Sequence, residues 1–226
     1  MISKTFEAVL FDMDGTLVDT EPYWLEAETA LMARFGYTWS KDDQRHCLGG
    51  PLPRVGDYMH SLVGVNDGTF FMSELIAGVE ELFQRGIIFM PGARELLAEI
   101  HEAGIPLALV SASPRTLVNA TLNSLAGNTF QVSVSSHDVT KSKPDPEPYI
   151  KAASMLGVDI ANCLVLEDSI VGITSAQASG ALTLAIPHIV EVAEHPRTIV
   201  LESLSHLDLK TLTHMFYDLL PERMTS

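Results

Sequence analysis

Short aliphatic and β-branched runs recur along this chain, and amphipathic segments separate most of them. The runs lie near residues 7–12, 106–110, 131–135, 163–167 and 181–186. Strands that alternate with helices form a parallel sheet, because each return between parallel strands needs a long crossover, which is usually a helix. The pattern therefore predicts an α/β fold.

The first run and the second are separated by roughly ninety residues, far more than the dozen or so that a crossover requires. Helix start signals and apolar spacing within this interval predict helices over residues 22–35 and 69–85. We therefore expect residues 19–88 to form a small helical domain, inserted after the first strand of an α/β core made of residues 1–18 and 89–226. Such an insertion could act as a lid.

Composition limits the kinds of partner that the chain can have. It holds 226 residues, 46% of them hydrophobic, with 29 acidic against 14 basic residues and a formal charge of −15. The electrostatic field of so negative a chain repels nucleic acid, which is also negatively charged. No apolar run approaches the roughly 18 residues that a membrane helix needs. Cys47 and Cys163 fit no metal or redox spacing. We expect a cytoplasmic protein; the sequence leaves its oligomeric state open, with a monomer favoured.

Two carboxylates, Asp12 and Asp14, stand where the first aliphatic run stops. Acidic groups so close together repel each other and are costly to desolvate. A fold that keeps them at a strand end therefore does so mainly to hold a cation or to transfer protons. An Asp-x-Asp pair alone is weak evidence for a functional site, because such pairs also occur in ordinary turns.

Polar residues follow three later runs in the same way. Ser111 comes after the second run, Lys143 after the third, and Glu167-Asp168 after the fourth. Because the carboxyl ends of parallel strands share one edge of the sheet, where ligands bind, we expect one pocket to collect these residues. Its members are Asp12, Asp14, Thr16, Ser111, Lys143 and Asp168.

These residue types suit phosphoryl transfer. The carboxylates of Asp12 and Asp168, with the main-chain carbonyl of Asp14, are hard oxygen ligands of the kind that Mg²⁺ prefers. A carboxylate that approaches a phosphate to ~4 Å meets a repulsion of roughly 4 kcal/mol per charge pair, which the metal and Lys143 would offset. The Thr16 and Ser111 hydroxyls can hold phosphoryl oxygens, as can main-chain amides near Gly15 and Ala112.

The ordered set of motifs resembles the haloacid dehalogenase superfamily, specifically its phosphatases with a helical cap, over nearly the whole chain. The motifs are Asp12-Met13-Asp14-Gly15-Thr16, Val110-Ser111-Ala112-Ser113, Lys143-Pro144-Asp145-Pro146, and Leu166-Glu167-Asp168-Ser169 with Gly172. The resemblance implies a Rossmann-like parallel core. It implies that Asp12 is a nucleophile that forms an aspartyl-phosphate. It also implies that Asp14 protonates the leaving alcohol and then deprotonates water, and that Glu167 supports the site or binds metal through a water.

Three assignments have alternatives. Lys141 could replace Lys143, although the lysine of the family directly precedes a proline, as Lys143 does. Ser111 could cap the helix that opens at Pro114, a role that Ser113 fills better by position. Glu167 and Asp168 could exchange roles, and we favour Asp168 as the ligand.

The resemblance favours an Mg²⁺-dependent phosphatase acting on a small phosphorylated metabolite, with a sugar phosphate such as a hexose or hexitol phosphate first and phosphoglycolate second. The alternatives are a β-phosphoglucomutase-like mutase and, from another class, a phospho-acceptor regulatory or binding protein. Trp24 and Thr16 stand where related mutases usually have histidine and valine, which favours hydrolysis. In the insertion, Glu21 and Arg54 are candidate substrate contacts, although either could simply be a solvated helix residue.

Overall fold

The structure is a computed structural model that describes residues 6–48, 50–125, 129–187 and 192–219. Within these ranges six strands form one sheet, and every pair of neighbouring strands is parallel. The strands are β1 (Ala8–Phe11), β2 (Leu107–Val110), β3 (Val132–Val134), β4 (Cys163–Glu167), β5 (Leu182–Ala185) and β6 (Thr198–Val200). The parallel α/β fold predicted from the sequence is confirmed.

The sheet is doubly wound around its first strand. Its order is β3-β2-β1-β4-β5-β6, so the chain builds outward from β1 on one side and then returns to build on the other. Strand order reverses between β1 and β4, and ligands of open α/β sheets bind at such a reversal. Phe11 is in register with Leu109 and with Leu166, so three strands end at almost the same level.

Nine α-helices lie within the described ranges. They are α1 (Glu21–Ala33), α2 (Lys41–Cys47), α3 (Leu52–Val63), α4 (Gly68–Phe83), α5 (Ala93–Glu102), α6 (Arg115–Ser124), α7 (Glu147–Leu156), α8 (Ile170–Ser179) and α9 (Leu209–Met215). Strands β1, β2, β4 and β5 are buried along their whole length. Parallel strands that are buried on both faces consist of continuous aliphatic residues. These strands could therefore be predicted from the sequence.

The chain divides into two compact units. One contains the sheet and comprises the chain up to Asp19 and from Ile88 onward; the other, Thr20–Ile87, contains helices α1 to α4. In the helical unit α3 packs closely on α4, since a Cβ on Gly56 would overlap the main chain of Gly68. No helix of the described ranges is long and apolar enough to cross a membrane.

Strand β6 was not predicted from the sequence. It has only three residues, none of them buried, and lies at the edge of the sheet, where it pairs with Thr183, Leu184 and Ala185. So short a run carries no clear periodicity. Helix α9 lies near the end of the described residues, and Phe216 just beyond it packs edge-to-face on Phe6 with ring centroids 5.9 Å apart.

Candidate active site

The register of the sheet brings several of the candidate residues together. Asp12 directly follows β1 and Ser111 directly follows β2, while Asp168 follows Glu167, the last residue of β4. Asp12 N–H donates to Leu166 O at 3.0 Å, so the sheet ladder continues to the nucleophile candidate. The loop after β3 supplies Lys143, whose ammonium lies against Asp12. The site is thus built on the ends of four adjacent strands.

A tight turn after β1 carries the two aspartates. Val18 N–H donates to Met13 O at 2.9 Å, and Gly15 N–H donates to Val18 O at 2.8 Å. Gly15 has a φ of +84°, in the region that favours glycine, and a Cβ there would overlap the Asp168 carboxylate. The turn therefore needs glycine both for its backbone conformation and for the close approach of Asp168.

Lys143 is the central cation of the site. Its Nζ donates to Asp12 Oδ1 at 2.6 Å, to Glu167 Oε1 at 2.6 Å and to Val110 O at 3.0 Å, and its side chain is only 4% exposed. Burial alone would lower the pKa of Lys143, but the two carboxylates outweigh it and raise the pKa above its ordinary value. Lys143 thus stays charged. Lys141 is 71% exposed and pairs with Asp145 at 3.5 Å.

Asp12 lies in an electrostatic environment with opposing effects. Burial raises its pKa well above 3.8, and the neighbouring charge of Glu167 raises it further, whereas the ammonium of Lys143 lowers it. Asp168 and Asp14 add smaller increases. The site therefore contains an excess of negative charge that one lysine does not balance, and a bound cation would stabilise the ionised form of Asp12.

Glu167 is completely buried, and donors surround both oxygens of its carboxylate. Oε1 accepts from Lys143 and from the Tyr149 hydroxyl at 2.7 Å. Oε2 accepts from Asp168 N–H at 3.1 Å, from Ser169 N–H at 3.3 Å and from the Ser169 hydroxyl at 3.2 Å. These donors hold the Glu167 carboxylate in place, because a buried carboxylate is costly unless hydrogen-bond donors surround it.

Gly172, in the first turn of α8, makes room for this carboxylate. A Cβ at that position would overlap both oxygens of Glu167. The Ser169 hydroxyl accepts from Gly172 N–H at 3.0 Å and so caps α8 directly above Glu167. In the sequence, Gly172 stands out only through the family pattern. Its physical role is to allow the close approach of Glu167.

Asp168 is half-buried and lies beside Asp12. The Thr16 hydroxyl donates to Asp168 Oδ1 at 3.3 Å. Asp12, Glu167 and Asp168 can each offer one oxygen such that all three lie within 4.8 Å of one another, a spacing that suits a metal ion. Because the oxygens of Glu167 already accept five hydrogen bonds, Asp12 and Asp168 are the better placed carboxylate ligands.

Two serines hold Asp14. The hydroxyls of Ser111 and Ser113 both donate to Asp14 Oδ2 at 2.9 Å. The prediction that Ser113 caps the following helix is wrong: the N-cap position of α6 is Pro114, and no side chain caps the helix. The Ser113 hydroxyl instead donates to the carboxylate of Asp14, and a hydrogen bond to a charged acceptor is stronger than one between neutral groups. Ala112, between the serines, is exposed.

The helical unit contains the two remaining candidates. Glu21 is the first residue of α1 and is exposed. Arg54 donates through Nη2 to His46 O at 2.8 Å, and a Cβ on Gly50 would overlap its guanidinium. Arg54 thus connects α3 to α2 within the helical unit.

Sequence reasoning missed Tyr149 and the contact of Ser113 with Asp14. Tyr149 lies in α7 and is completely buried, with its ring centroid 5.0 Å from Lys143 Nζ. The sequence did contain one signal for such a contact. A buried glutamate at the end of a strand requires several hydrogen-bond donors. Nothing in the sequence says which residue provides them.

The chain is similar to known proteins over most of its length. Residues 9–186 match the family model described as haloacid dehalogenase-like hydrolase. Hexitol phosphatase B of Escherichia coli K12 is 32% identical over 213 residues, which cover 91% of this chain and 96% of that protein. Protein CbbY of Rhodobacter capsulatus is 31% identical over 193 residues, 80% of this chain and 85% of that protein.

A solved structure shares the fold over most of the chain. It is a mutant of CbbY from Rhodobacter sphaeroides in complex with xylulose-(1,5)bisphosphate. It superposes with a TM-score of 0.74 at 25% identity and covers 90% of this chain and 96% of that one. The resemblance that the motifs indicated is thereby confirmed, and the chain is an enzyme of the haloacid dehalogenase-like hydrolase family.

Proposed function

We propose that this enzyme hydrolyses a phosphate monoester of a small metabolite, with Asp12 as the nucleophile. The observation that carries the proposal is the contact of Lys143 Nζ with Asp12 Oδ1 at 2.6 Å inside a cluster of carboxylates. A purely structural ion pair would not need Asp14 and Asp168 beside it. Attack by Asp12 on phosphorus would form an aspartyl-phosphate and release the alcohol, and water would then hydrolyse the intermediate.

Electrostatic repulsion is the main obstacle to this attack. A repulsion of roughly 4 kcal/mol between carboxylate and phosphate would slow the reaction about a thousandfold. Lys143 opposes this repulsion from a fixed position, because its ammonium also donates to Val110 O and to Glu167 Oε1. A preorganised charge costs no reorganisation when the transition state forms.

The donor set fits Mg²⁺. The carboxylates of Asp12 and Asp168 and the main-chain carbonyl of Asp14 are hard oxygen donors, and the site has unbalanced negative charge. When bound, the ion would supply positive charge against the phosphoryl oxygens. The Thr16 hydroxyl, the Ala112 N–H and Lys143 would complete the binding of those oxygens, and the Ser111 hydroxyl would contribute only by giving up its hydrogen bond to Asp14.

Asp14 has the position of an acid and base. It lies two residues from the nucleophile, and the hydroxyls of Ser111 and Ser113 fix one of its oxygens. We propose that it protonates the leaving alcohol in the first step and accepts a proton from the attacking water in the second. A long-lived aspartyl-phosphate, as in a regulatory phospho-acceptor, would have no use for such a group.

We propose a sugar phosphate as the substrate, a hexose or hexitol phosphate first. Hexitol phosphatase B, which this chain matches over 91% of its length, supports that choice. The active site is generic for phosphoryl groups, so the leaving group must be selected elsewhere. We propose residues 19–88 as a cap domain for this selection, with Glu21 and Arg54 as candidate contacts.

The test is phosphate release from a panel that includes sorbitol 6-phosphate, glucose 6-phosphate and phosphoglycolate, with Mg²⁺ and with a chelator. We expect turnover that the chelator abolishes and that Asp12→Asn lowers at least a thousandfold. Asp42→Asn, an equivalent change at a side chain that is 85% exposed, is the control and should retain full activity. Interconversion of sugar phosphates with little phosphate release would instead favour a mutase.

A further inference from the structure

Ser113 makes a contact that the proposed reaction does not explain by itself. Its hydroxyl and that of Ser111 converge on the same oxygen, Asp14 Oδ2, at 2.9 Å each. Ser111 is only 3% exposed and Ser113 is partly buried. Two neutral donors on one carboxylate oxygen are more than burial requires, because Asp14 itself is only partly buried.

The loop after β2 holds Ser113 firmly. Its N–H donates to Ser111 Oγ at 2.9 Å, and its carbonyl accepts from the N–H and the hydroxyl of Ser136, both at 3.2 Å. Its main chain is therefore fixed on both sides. A serine has one heavy-atom torsion, so fixing the main chain leaves few positions for the hydroxyl. In the structure the Ser113 hydroxyl points at Asp14.

The contact also constrains Ser111. Since Ser111 Oγ accepts from Ser113 N–H, its own hydrogen must point elsewhere, and it points at Asp14. The two serines and Asp14 thus form a closed triangle of hydrogen bonds. Fixing one carboxylate oxygen by two donors fixes the plane of the carboxylate and hence the direction in which the other oxygen points.

From this triangle we infer that Ser113 is a positioning residue that orients the Asp14 carboxylate for proton transfer to the leaving alcohol. The inference rests on the proposed function, in which Asp14 is the acid. Helix capping does not explain Ser113, because α6 has no side-chain cap. Ser113 should matter most when the leaving group needs a proton.

Leaving groups that differ in acidity provide the test. Sorbitol 6-phosphate releases an alkoxide that must be protonated, whereas p-nitrophenyl phosphate releases a stable phenolate that leaves without help. We expect Ser113→Ala to lower kcat/KM for sorbitol 6-phosphate about 10-fold and kcat/KM for p-nitrophenyl phosphate by less than about 2-fold, because kcat/KM reports the steps up to release of the alcohol and not the later hydrolysis of the aspartyl-phosphate. Ser113→Thr, which keeps the hydroxyl, should recover most of the lost rate.

Two controls accompany these variants. Ser124→Ala makes the same chemical change at the end of α6, where the hydroxyl donates to Ala120 O, and should leave both substrates unaffected. Asp14→Asn should show the same selectivity as Ser113→Ala with a larger effect. If Asp14→Asn is selective but Ser113→Ala lowers kcat/KM for both substrates equally or for neither, the inference about Ser113 is wrong and the proposed function stands.

If Asp14→Asn lowers kcat/KM for both substrates equally, Asp14 is not the acid, and both the proposed mechanism and the inference fail. Crystal structures provide a readout that does not depend on turnover. The wild type should hold Asp14 Oδ2 within hydrogen-bond distance of both serines, and Ser113→Ala should leave the carboxylate in more than one orientation. A single unchanged orientation of Asp14 in Ser113→Ala overturns the inference.

Discussion

The Tyr149 hydroxyl donates to Glu167 Oε1 at 2.7 Å, and both side chains are completely buried. The same oxygen accepts from Lys143. Tyr149 and Lys143 therefore share one acceptor, and the tyrosine limits how far Glu167 can rotate. Burial and the charge of Glu167 raise the pKa of Tyr149 well above 10, so its hydroxyl stays a donor. The position of Lys143 against Asp12 thus depends on a residue that is completely buried.

Tyr149→Phe keeps the ring beside Lys143 and removes only the hydroxyl. Losing one donor to a buried carboxylate should lower the free energy of unfolding by about 1–3 kcal/mol. The turnover number should fall several-fold because Lys143 is less well fixed. Denaturant titration and steady-state kinetics measure the two effects. Tyr217→Phe, at a residue that is 42% exposed, is the matched control; an equal response of the two variants would contradict this account.

Gly172→Ala should inactivate the enzyme. An alanine in a helix ordinarily stabilises it by up to about 1 kcal/mol relative to glycine. Here, however, the added Cβ would overlap the Glu167 carboxylate and displace it from Lys143. We expect phosphate release to fall at least tenfold. Gly78→Ala in α4, whose Cβ would lie 3.3 Å from that of Ala27, should retain activity. Full activity of Gly172→Ala would show that Glu167 does not position Lys143.

Lys143→Ala and Lys141→Ala separate two neighbouring cations. Removing Lys143 leaves Asp12 and Glu167 buried without their shared counter-ion, so both activity and stability should fall, activity by at least a hundredfold. Lys141→Ala removes only an exposed pair with Asp145, which is worth less than about 1 kcal/mol. Kinetics of both variants with one substrate decides between them. A large loss in Lys141→Ala alone would reverse the assignment.

Glu28 should make the stability of the helical unit depend on pH. It is 6% exposed, and burial raises its pKa to about 7 despite the hydrogen bond from Trp39 Nε1 at 3.1 Å; nearby Glu21 contributes to the increase. Because the pKa is raised in the folded state, the stability that Glu28 contributes is complete below about pH 4.5 and is lost as the pH rises through 7.

Glu28→Gln keeps an acceptor for Trp39 and removes the charge. Allowing for solvent screening, it should be more stable than the wild type by about 1–3 kcal/mol at pH 8 and nearly equal to it at pH 4.5. Thermal unfolding across this range measures the difference, with Glu26→Gln, an exposed neighbour, as the control. A difference that does not change with pH would exclude Glu28 as the titrating group.

The sequence predicted most of the sheet because strands β1, β2, β4 and β5 are buried along their whole length. Continuous aliphatic runs ending in Asp12, Ser111 and Asp168 indicate both the strands and the edge at which they end. What the runs do not encode is the direction of side chains. Ser113 occupies a position suited to a helix cap, where its oxygen would accept from a main-chain N–H, yet its hydroxyl donates to Asp14 and no side chain caps α6.

Tyr149 illustrates the same limit. In α7 it follows the apolar pattern of a core residue, and its ring is indeed buried. That its hydroxyl reaches Glu167 depends on how α7 packs against the sheet, a long-range contact that no local pattern carries. The edge strand β6 was missed for the opposite reason, since three partly exposed residues provide too little pattern to recognise.

The central claim is that Asp12 becomes phosphorylated during turnover. Acid quenching of the enzyme during turnover of sorbitol 6-phosphate, followed by borohydride reduction and peptide mass spectrometry, tests it directly. Reduction converts an aspartyl-phosphate into homoserine. The account predicts homoserine at position 12 in the wild type and none in Asp12→Asn. Rapid phosphate release without any modification at Asp12 would contradict it.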